Sequence, residues 1–242
     1  LLSPSKTPMG NLQFLTFFIN TIAAVLKHEA LVSAATISAS NDLRLGSNEA
    51  PPSFISIFIG KELTKVLEEL ENVSKGKLSP QEKTDLKLNV IGKIPEILLD
   101  NTDQTRTSPI AFTGNKFEYR AVGANTHCAK PITVLNSAVA EQLLDFKETV
   151  DVLVNEKNMK KDDAIFNVLR DMIKHIKNIL NEGDEKSTKK TEKKASKHNQ
   201  RSVPDLLSAY TSDSSIALFE KLEIFTQKEL LERYAIDLND YV

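Results

Sequence analysis

The sequence is poor in cysteine and has no excess of charge of either sign. Cys128 is the one cysteine among 242 residues, which excludes an internal disulfide framework, and it lies in no metal-ligand spacing. This favours a reducing compartment, so we expect a cytoplasmic protein. A formal net charge of -2 and a pI near 6.2 leave no electrostatic footprint for nucleic acid or for an anionic membrane. We therefore expect neither nucleic acid nor a membrane as a partner.

A long hydrophobic run is also missing. The most apolar stretch, residues 12–26, is interrupted by four polar residues, Gln13, Thr16, Asn20 and Thr21. It is shorter than the roughly 20 residues that a membrane-spanning helix needs, so we interpret it as a buried helix. The start of the chain lacks the basic residues and cleavage site of a signal peptide. With 40% hydrophobic residues, the chain can bury a core as one large domain or two small ones.

Hydrophobic periodicity predicts helices on both sides of a more irregular middle. Residues 61–72 carry apolar side chains at helical spacing, namely Leu63, Val66, Leu67 and Leu70. Pro131 can begin a second helix, whose apolar stripe would be Leu135, Val139, Leu143, Phe146, Val150 and Leu153. A third would follow Asp162 or Asp163 as N-cap, with an inward stripe of Ile165, Val168, Leu169, Met172, Ile173, Ile176, Ile179 and Leu180.

The last part of the chain combines helix starts with one strongly basic segment. Ser202 before Pro204 begins a helix, and Thr226 with Glu229 forms the capping box of the final one. Between them, residues 186–201 have seven basic residues, one acid and no large apolar side chain. We interpret the surrounding region, about 184–201, as a mobile surface loop; a patch that binds polyanions is the alternative.

Arginine is scarce, with six residues in the chain, and three of them fall in the irregular middle. Because lysine is plentiful, an arginine marks a place where its planar, bidentate fork matters. Arg44 lies in an irregular loop before the apolar run "FISIFIG", which we predict to be a buried strand, and Glu49 lies at the tip of that loop. Arg106 lies in a loop of turn residues just before the segment that carries Arg120.

The segment "FTGNKFEYRAVG", residues 112–123, alternates charged and apolar side chains. In a strand, Lys116, Glu118 and Arg120 would share one face, and Phe117, Tyr119 and Ala121 the other. Such a face is either a solvated strand surface or a site for something both anionic and metal-bearing.

Four stretches, in this order, resemble the C-terminal half of the long, type III glutamine synthetases: "SPSKTPMGNLQF", "SNDLRLGSNEAPPSFISIFIG", "GKIPEILLDNTDQTRTSPIAFTGNKFEYRAVG" and "TVLNSAVAEQL". The resemblance implies an α+β fold and ATP-dependent ligation of ammonia to glutamate through a γ-glutamyl phosphate. It implies two Mg²⁺ or Mn²⁺ ions, ATP as co-substrate, and a ring-shaped homo-oligomer, a dodecamer. It also implies that the chain is part of one about three times longer.

The resemblance assigns roles to the strand residues position by position. Glu118 matches a metal-ligand glutamate, and Arg120 matches the arginine that holds the glutamate substrate and its transferred phosphate. Lys116 aligns with a basic position that reaches the nucleotide. Hard carboxylate oxygens suit Mg²⁺ and Mn²⁺, and phosphoryl transfer to a carboxylate needs metal and fixed cations because it brings two anions together.

The resemblance also assigns roles to three residues of the preceding loops. Arg106 corresponds to the arginine that stabilises the phosphoryl group in transfer, and Arg44 to the one that grips the substrate carboxylate. Glu49 corresponds to the flap glutamate that closes the site and helps to deprotonate the ammonium-derived nitrogen. Three positions depart from the family pattern, which predicts weaker contacts around the two arginines: Leu43 replaces histidine, and Gln104 and Thr105 replace arginine and asparagine.

The resemblance implies that most of the family's metal-binding glutamates and its metal-binding histidine lie upstream of the residue at which this sequence begins, so we expect the chain to be inactive alone. We divide it into part of the catalytic domain, residues 1–130, and a helical C-terminal region, residues 131–242. Two other interpretations remain open: a non-catalytic scaffold or interaction protein that resembles glutamine synthetase, and a helical binding module that uses the basic loop. We interpret His28 as a helix-end or core residue rather than a ligand.

Overall fold

The computed structural model describes residues 1–3, 5, 7–37, 56–72, 108–120, 127–181 and 203–241. In these ranges it has eight α-helices, four short strands and two 3₁₀ turns. In chain order they are α1 (Pro8–Lys27), α2 (Glu29–Ala34), β1 (Ile57–Phe58), α3 (Lys61–Asn72), β2 (Ile110–Phe112), β3 (Phe117–Tyr119), α4 (Ala129–Asn155), α5 (Lys161–Ile176), a 3₁₀ turn (Lys177–Ile179), β4 (Leu180–Asn181), α6 (Val203–Leu207), a 3₁₀ turn (Ser208–Thr211), α7 (Asp213–Lys221) and α8 (Gln227–Tyr241).

Helix α1 is the buried helix that the sequence predicts. It begins after Thr7, whose hydroxyl caps the first turn by accepting the Gly10 amide at 3.2 Å. Its polar interior residues are accommodated by hydrogen bonds to carbonyls one turn earlier; Asn20, for example, donates to the Thr16 carbonyl at 2.8 Å. Among the described residues, no helix is long and apolar enough to cross a membrane.

The described strands form one mixed sheet in the order β3-β2-β1-β4. β1 runs parallel to both β2 and β4, with Ile57 opposite Ile110 and Leu180, whereas β2 and β3 are antiparallel. The sheet packs on α1 through an aromatic cluster, Phe14, Phe18, Phe112 and Phe117, with ring centroids 4.9–5.8 Å apart. A mostly helical molecule with one small mixed sheet confirms the α+β prediction.

Helix α3 has the predicted bounds, and all four of its predicted apolar residues are buried. Helix α4 begins at Ala129, two residues before Pro131, and the prediction of its inner face is partly wrong. Phe146 and Val150 are buried as predicted, and the half-buried Leu135 and Leu153 pack against the core, whereas Val139 and Leu143 are half-buried without belonging to it. The reason is that α4 meets α1 partly through polar residues, as where Gln142 donates to Asn20 Oδ1 at 3.2 Å, and an apolar pattern does not detect such contacts.

Helix α5 begins earlier than the sequence predicts. Its N-cap is Lys160, and Asp162 and Asp163 lie in the first turn, where carboxylates favour the positive end of the helix dipole. Helix α5 ends at Ile176, so the predicted inward residue Leu180 belongs to strand β4 instead. The chain leaves the helix there because Leu180 pairs with Ile57 of β1, which a local pattern cannot anticipate.

The predicted capping box of the last helix is confirmed. The Glu229 carboxylate accepts the Thr226 amide at 2.8 Å, and the Thr226 hydroxyl accepts the Glu229 amide at 3.3 Å. Helix α6, five residues long, lies where the sequence predicts a helix near Pro204. The basic segment 184–201, predicted to be a loop, lies outside the described residues, as does most of the predicted strand "FISIFIG".

Candidate functional site

The three charged residues that the sequence predicts on one face, Lys116, Glu118 and Arg120, belong to the hairpin formed by β2 and β3. Gly114 has φ of 97°, a left-handed conformation that glycine adopts without steric cost, and it allows the chain to turn sharply. The Thr113 amide donates to the Lys116 carbonyl at 3.0 Å, which closes the turn. Lys116 therefore stands immediately before β3, in register with the strand.

The predicted alternation along β3 is confirmed. Phe117 lies 5.7 Å from the ring of Phe18, and the Tyr119 hydroxyl donates to the Val32 carbonyl at 2.7 Å, so both face the helical layer. Lys116, Glu118 and Arg120 lie on the other side, and both cations contact Glu118. We call these three residues the charged face.

Glu118 is the centre of the charged face, because both of its carboxylate oxygens accept hydrogen bonds. Arg120 donates to Oε2 through Nε at 3.1 Å and through Nη2 at 2.7 Å. Lys116 Nζ lies 3.3 Å from Oε1, which also accepts the Thr113 hydroxyl at 3.2 Å. The side chains of Lys116, Glu118 and Arg120 are 64%, 33% and 21% exposed, so the face is open to solvent at the lysine and more sheltered at the arginine.

These contacts keep Glu118 ionised. The hydrogen bond from Arg120 is the main cause that lowers the pKa of the Glu118 carboxyl, and the bonds from Lys116 and Thr113 act in the same direction against the opposing effect of burial. At neutral pH the face carries two cations around one carboxylate. It therefore has a net positive charge and can bind an anion, while the carboxylate supplies hard oxygen atoms.

The described residues do not complete a metal site by themselves. No group of three or more His, Cys, Asp or Glu side chains within the described ranges could hold a metal ion. Glu118 fits a divalent cation in ligand type, since carboxylate oxygen suits Mg²⁺ and Mn²⁺, but it counts as one ligand among the several that such ions require.

The structure brings together three of the six residues predicted for the site. Arg44, Glu49 and Arg106 lie outside the described residues, together with the departing positions Leu43, Gln104 and Thr105.

His28 is confirmed as a buried helix-end residue. It caps the C-terminus of α1, and its Nε2 lies 2.7 Å from Glu141 Oε2.

Sequence reasoning missed the hydrogen bonds of two hydroxyl groups on this hairpin, those of Thr113 and Tyr119. Thr113 has no special motif, but it is the first residue of the turn, and a hydroxyl there can reach the next strand. Tyr119 was assigned to the apolar side by alternation, which is correct for its ring but leaves its hydroxyl unconsidered. A tyrosine in an otherwise apolar position is itself a signal, because a buried phenol usually finds a hydrogen-bond partner.

Fold and site together define an α+β protein with a cationic, carboxylate-centred strand face beside a helical layer. In a comparison with known families, residues 164–242 match the pattern described as the glutamine synthetase C-terminal domain.

Three relatives match nearly the whole chain. A glutamine synthetase of Bacteroides fragilis (strain YCH46) is 44% identical over 244 residues, which is 100% of this chain and 33% of the relative. A type-3 glutamine synthetase of Dictyostelium discoideum is 37% identical over 98% of this chain and 32% of its own length. A glutamine synthetase of Butyrivibrio fibrisolvens is 34% identical over 100% and 34%.

The chain belongs to the glutamine synthetase family of ligases. It spans about a third of the length of the relatives that it matches.

Proposed function

We propose that this chain forms part of a glutamate–ammonia ligase that makes glutamine with ATP. The observation that carries the proposal is the charged face, in which two cations and an ionised carboxylate share one side of β3 in a chain of the glutamine synthetase family. In the reaction, a γ-carboxylate oxygen of glutamate attacks the γ-phosphorus of ATP and ADP leaves. Ammonia then attacks the acyl carbon, and phosphate leaves.

The residues of the charged face have separate tasks in this proposal. Arg120 holds the glutamate substrate and the phosphate that is transferred to it, and its planar fork suits two oxygens of one anion. Lys116, the most exposed of the three, reaches toward the nucleotide as a flexible point charge. Glu118 orients Arg120 through two hydrogen bonds and is itself held ionised by them.

Glu118 is also the residue of this face that would hold one of two Mg²⁺ or Mn²⁺ ions. Such ions neutralise phosphate charge and act as Lewis acids during phosphoryl transfer. Both Glu118 oxygens already accept hydrogen bonds from Arg120, Lys116 and Thr113, so a ligand role requires Glu118 to share or exchange one of these donors.

Three residues outside the described ranges complete the proposed chemistry. Arg106 stabilises the phosphoryl group in transfer, Arg44 grips the substrate carboxylate, and Glu49 closes the site and helps to deprotonate the nitrogen nucleophile. We place these residues in a catalytic portion, 1–130, followed by a helical C-terminal region, 131–242. The working protein would be a ring-shaped homo-oligomer, a dodecamer.

A second candidate function is a non-catalytic scaffold of the same family. The observation that favours it is the closeness of the Arg120–Glu118 pair, in which the arginine uses two nitrogens on a carboxylate of its own strand. In a scaffold, the charged face would be a set of structural ion pairs.

Replacing Arg120 by lysine separates the two functions, because lysine keeps the charge but cannot donate two parallel bonds to one anion. In the full-length gene product we expect Arg120→Lys to lower kcat by roughly two to four orders of magnitude and to raise KM for glutamate, with little change in Tm. Steady-state kinetics and thermal melts on the same preparation measure both.

The matched control is Arg233→Lys on α8, where the guanidinium lies 4.3 Å from the ring of Phe225 and belongs to no part of the proposed site. It should change Tm more than kcat. A kcat near that of the wild type for Arg120→Lys, together with lost stability, would support the scaffold instead.

A further inference from the structure

The strand that carries the charged face is tied to the helical layer by one hydrogen bond from its other side. Tyr119 stands between Glu118 and Arg120, and its hydroxyl donates to the carbonyl of Val32 at 2.7 Å. Val32 lies in the last turn of α2, where helix carbonyls lack intrahelical partners. The Tyr119 hydroxyl therefore satisfies a helix end and fixes the distance between β3 and α2.

The C-terminal part of the chain also packs near this hydrogen bond, because the 3₁₀ turn Ser208–Thr211 contacts α2. Tyr210, in the 3₁₀ turn after α6, is only 6% exposed, and Lys130 lies 4.8 Å above its ring. Lys130 in turn forms an ion pair with Asp237 of α8. Burial raises the pKa of the Tyr210 hydroxyl, and Asp237 and Tyr119 contribute in the same direction.

A shift of the backbone of a strand only three residues long moves all of its side chains together. β3 is hydrogen-bonded on one side to β2, where Glu118 stands opposite Ala111. Ring packing at Phe117 limits movement toward the core but does not set the position along the strand, because apolar contacts are not directional. Backbone bonds to β2 set the register of β3 within the sheet, and the Tyr119 hydroxyl, whose bond also has a preferred length and angle, sets the position of β3 relative to α2.

We propose that Tyr119 is a positioning residue for the charged face, acting through strand β3, and that its hydrogen bond to α2 holds it in place. The inference rests on the proposed function insofar as it concerns turnover. Tyr119 itself touches neither substrate nor metal; it determines where the Arg120 fork and the Glu118 carboxylate lie.

Tyr119→Phe tests the inference, because phenylalanine keeps the ring and removes only the hydroxyl. In the 242-residue chain, the Nε–H group of Arg120 should give a shifted, exchange-protected NMR signal in the wild type, since it donates to Glu118 Oε2 at 3.1 Å. We expect Tyr119→Phe to reduce this protection by roughly 3- to 10-fold, comparable with the loss of one hydrogen bond. The change in Tm should stay within about 4 °C.

Tyr234→Phe is the matched control. It removes a hydroxyl from a half-buried tyrosine of α8 that packs against Ile37 and Leu207, and it should leave the Arg120 signal unchanged. Equal protection of Arg120 in wild type and Tyr119→Phe, or equal loss in both tyrosine variants, would overturn the inference.

Kinetics on the full-length gene product separate this inference from the proposed function. Tyr119→Phe should raise KM for glutamate by roughly 3- to 10-fold, with a smaller effect on kcat, because a displaced Arg120 still carries its charge. If the wild-type gene product forms no glutamine, the proposed function fails, while the Arg120 signal still decides whether Tyr119 positions the charged face. If the wild type is active and Tyr119→Phe leaves KM unchanged, the positioning role fails alone.

Discussion

Glu118 is held by interactions that are individually weak. Its bonds to Lys116 and Arg120 lie at a partly exposed surface, where an ion pair contributes about 0–1 kcal/mol to stability. The charged face therefore contributes little to folding, and its donors can exchange a carboxylate for a ligand anion at low cost. This favours a binding role over a structural one.

A substitution at Glu118 tests its proposed metal role. In the full-length gene product, Glu118→Gln should weaken Mg²⁺ or Mn²⁺ binding and lower turnover by at least about 10²-fold, because the amide lacks the charge of a ligand carboxylate. Metal titration and steady-state kinetics measure the two effects. Glu148→Gln, on the exposed surface of α4, is the control and should change neither. A metal titration unaffected by Glu118→Gln would support the alternative interpretation, in which Glu118 is part of a solvated strand surface.

Tyr210 and Tyr119 should respond in opposite ways to the same substitution. The Tyr210 hydroxyl is buried, and within the described part of the chain it has no hydrogen-bond partner, so removing it relieves a desolvation cost. We expect Tyr210→Phe to leave Tm unchanged or to raise it by up to about 4 °C. Tyr119→Phe breaks a bond and should lower Tm. Calorimetry on both variants of the 242-residue chain compares them, and a clear loss of stability in Tyr210→Phe would contradict this expectation.

At the scale of elements, a chain of charged side chains joins α1, α4 and α7. Glu141, buried on α4, accepts from Lys27 at 2.9 Å and contacts His28 at 2.7 Å, both at the C-terminus of α1. Lys27 also bonds to Asp145 at 2.7 Å, and Lys221 of α7 bonds to the other oxygen of Asp145 at 2.9 Å. The network thus ties the start of the short helix α2, which carries Val32, to the long helix α4.

This network predicts how stability depends on pH. Burial alone would raise the pKa of Glu141, but hydrogen bonds from Lys27 and His28 and their charge outweigh it, so the pKa lies below the ordinary value of 4.5. A carboxyl whose pKa is lowered by folding stabilises the folded state at pH values above its ordinary pKa. This contribution is lost as the pH falls through the folded-state pKa. The wild type should therefore lose stability on acidification below about pH 4.5.

Glu141→Gln isolates this contribution. The variant should be less stable at neutral pH, because Lys27 and His28 lose a charged acceptor, and its free energy of unfolding should fall less on acidification. Urea denaturation of the wild type and the variant between about pH 7 and pH 3 measures how the free energy of unfolding of each depends on pH. Glu148→Gln is again the exposed control. Parallel pH curves for wild type and Glu141→Gln would show that other carboxyl groups, such as Asp145, govern acid unfolding.

At the scale of the whole molecule, most of the described helices pack with the sheet around one hydrophobic core. Within the described residues, side chains from α1, α3, α4, α5 and α7 join the strands in the larger buried cluster, so we expect these elements to fold together, and Ile37 and Leu207 form a smaller cluster. The candidate site is different, because the described residues supply only one carboxylate of it. We therefore expect the 242-residue chain to contain what it needs to fold, but not all of the carboxylates that activity needs.

The 242-residue chain expressed alone should fold but form no glutamine, since one carboxylate cannot hold two divalent ions. Circular dichroism and a glutamine-formation assay on the same sample test both parts, with the full-length gene product as positive control. Measurable glutamine formation by residues 1–242 would refute the prediction.

The sequence by itself determined the features that depend on neighbours a few residues away. Helices α1 and α3, the capping box of Thr226 with Glu229 and the alternation along β3 were all predicted correctly. Each follows from a local period or a local hydrogen bond, which the order of residues already contains. The charged face could therefore be predicted as a face, although not with its mutual bonds.

Only the tertiary structure decided what depends on residues far apart in the chain. The Tyr119–Val32 bond spans 87 residues and the His28–Glu141 contact spans 113, so no local pattern contains either. The inner face of α4 and the end of α5 differ from prediction for the same reason, since α1 and β1 select which side chains are buried and where the helix stops. Helix and strand formation are local, whereas the burial of polar groups requires a partner that only the folded chain brings near.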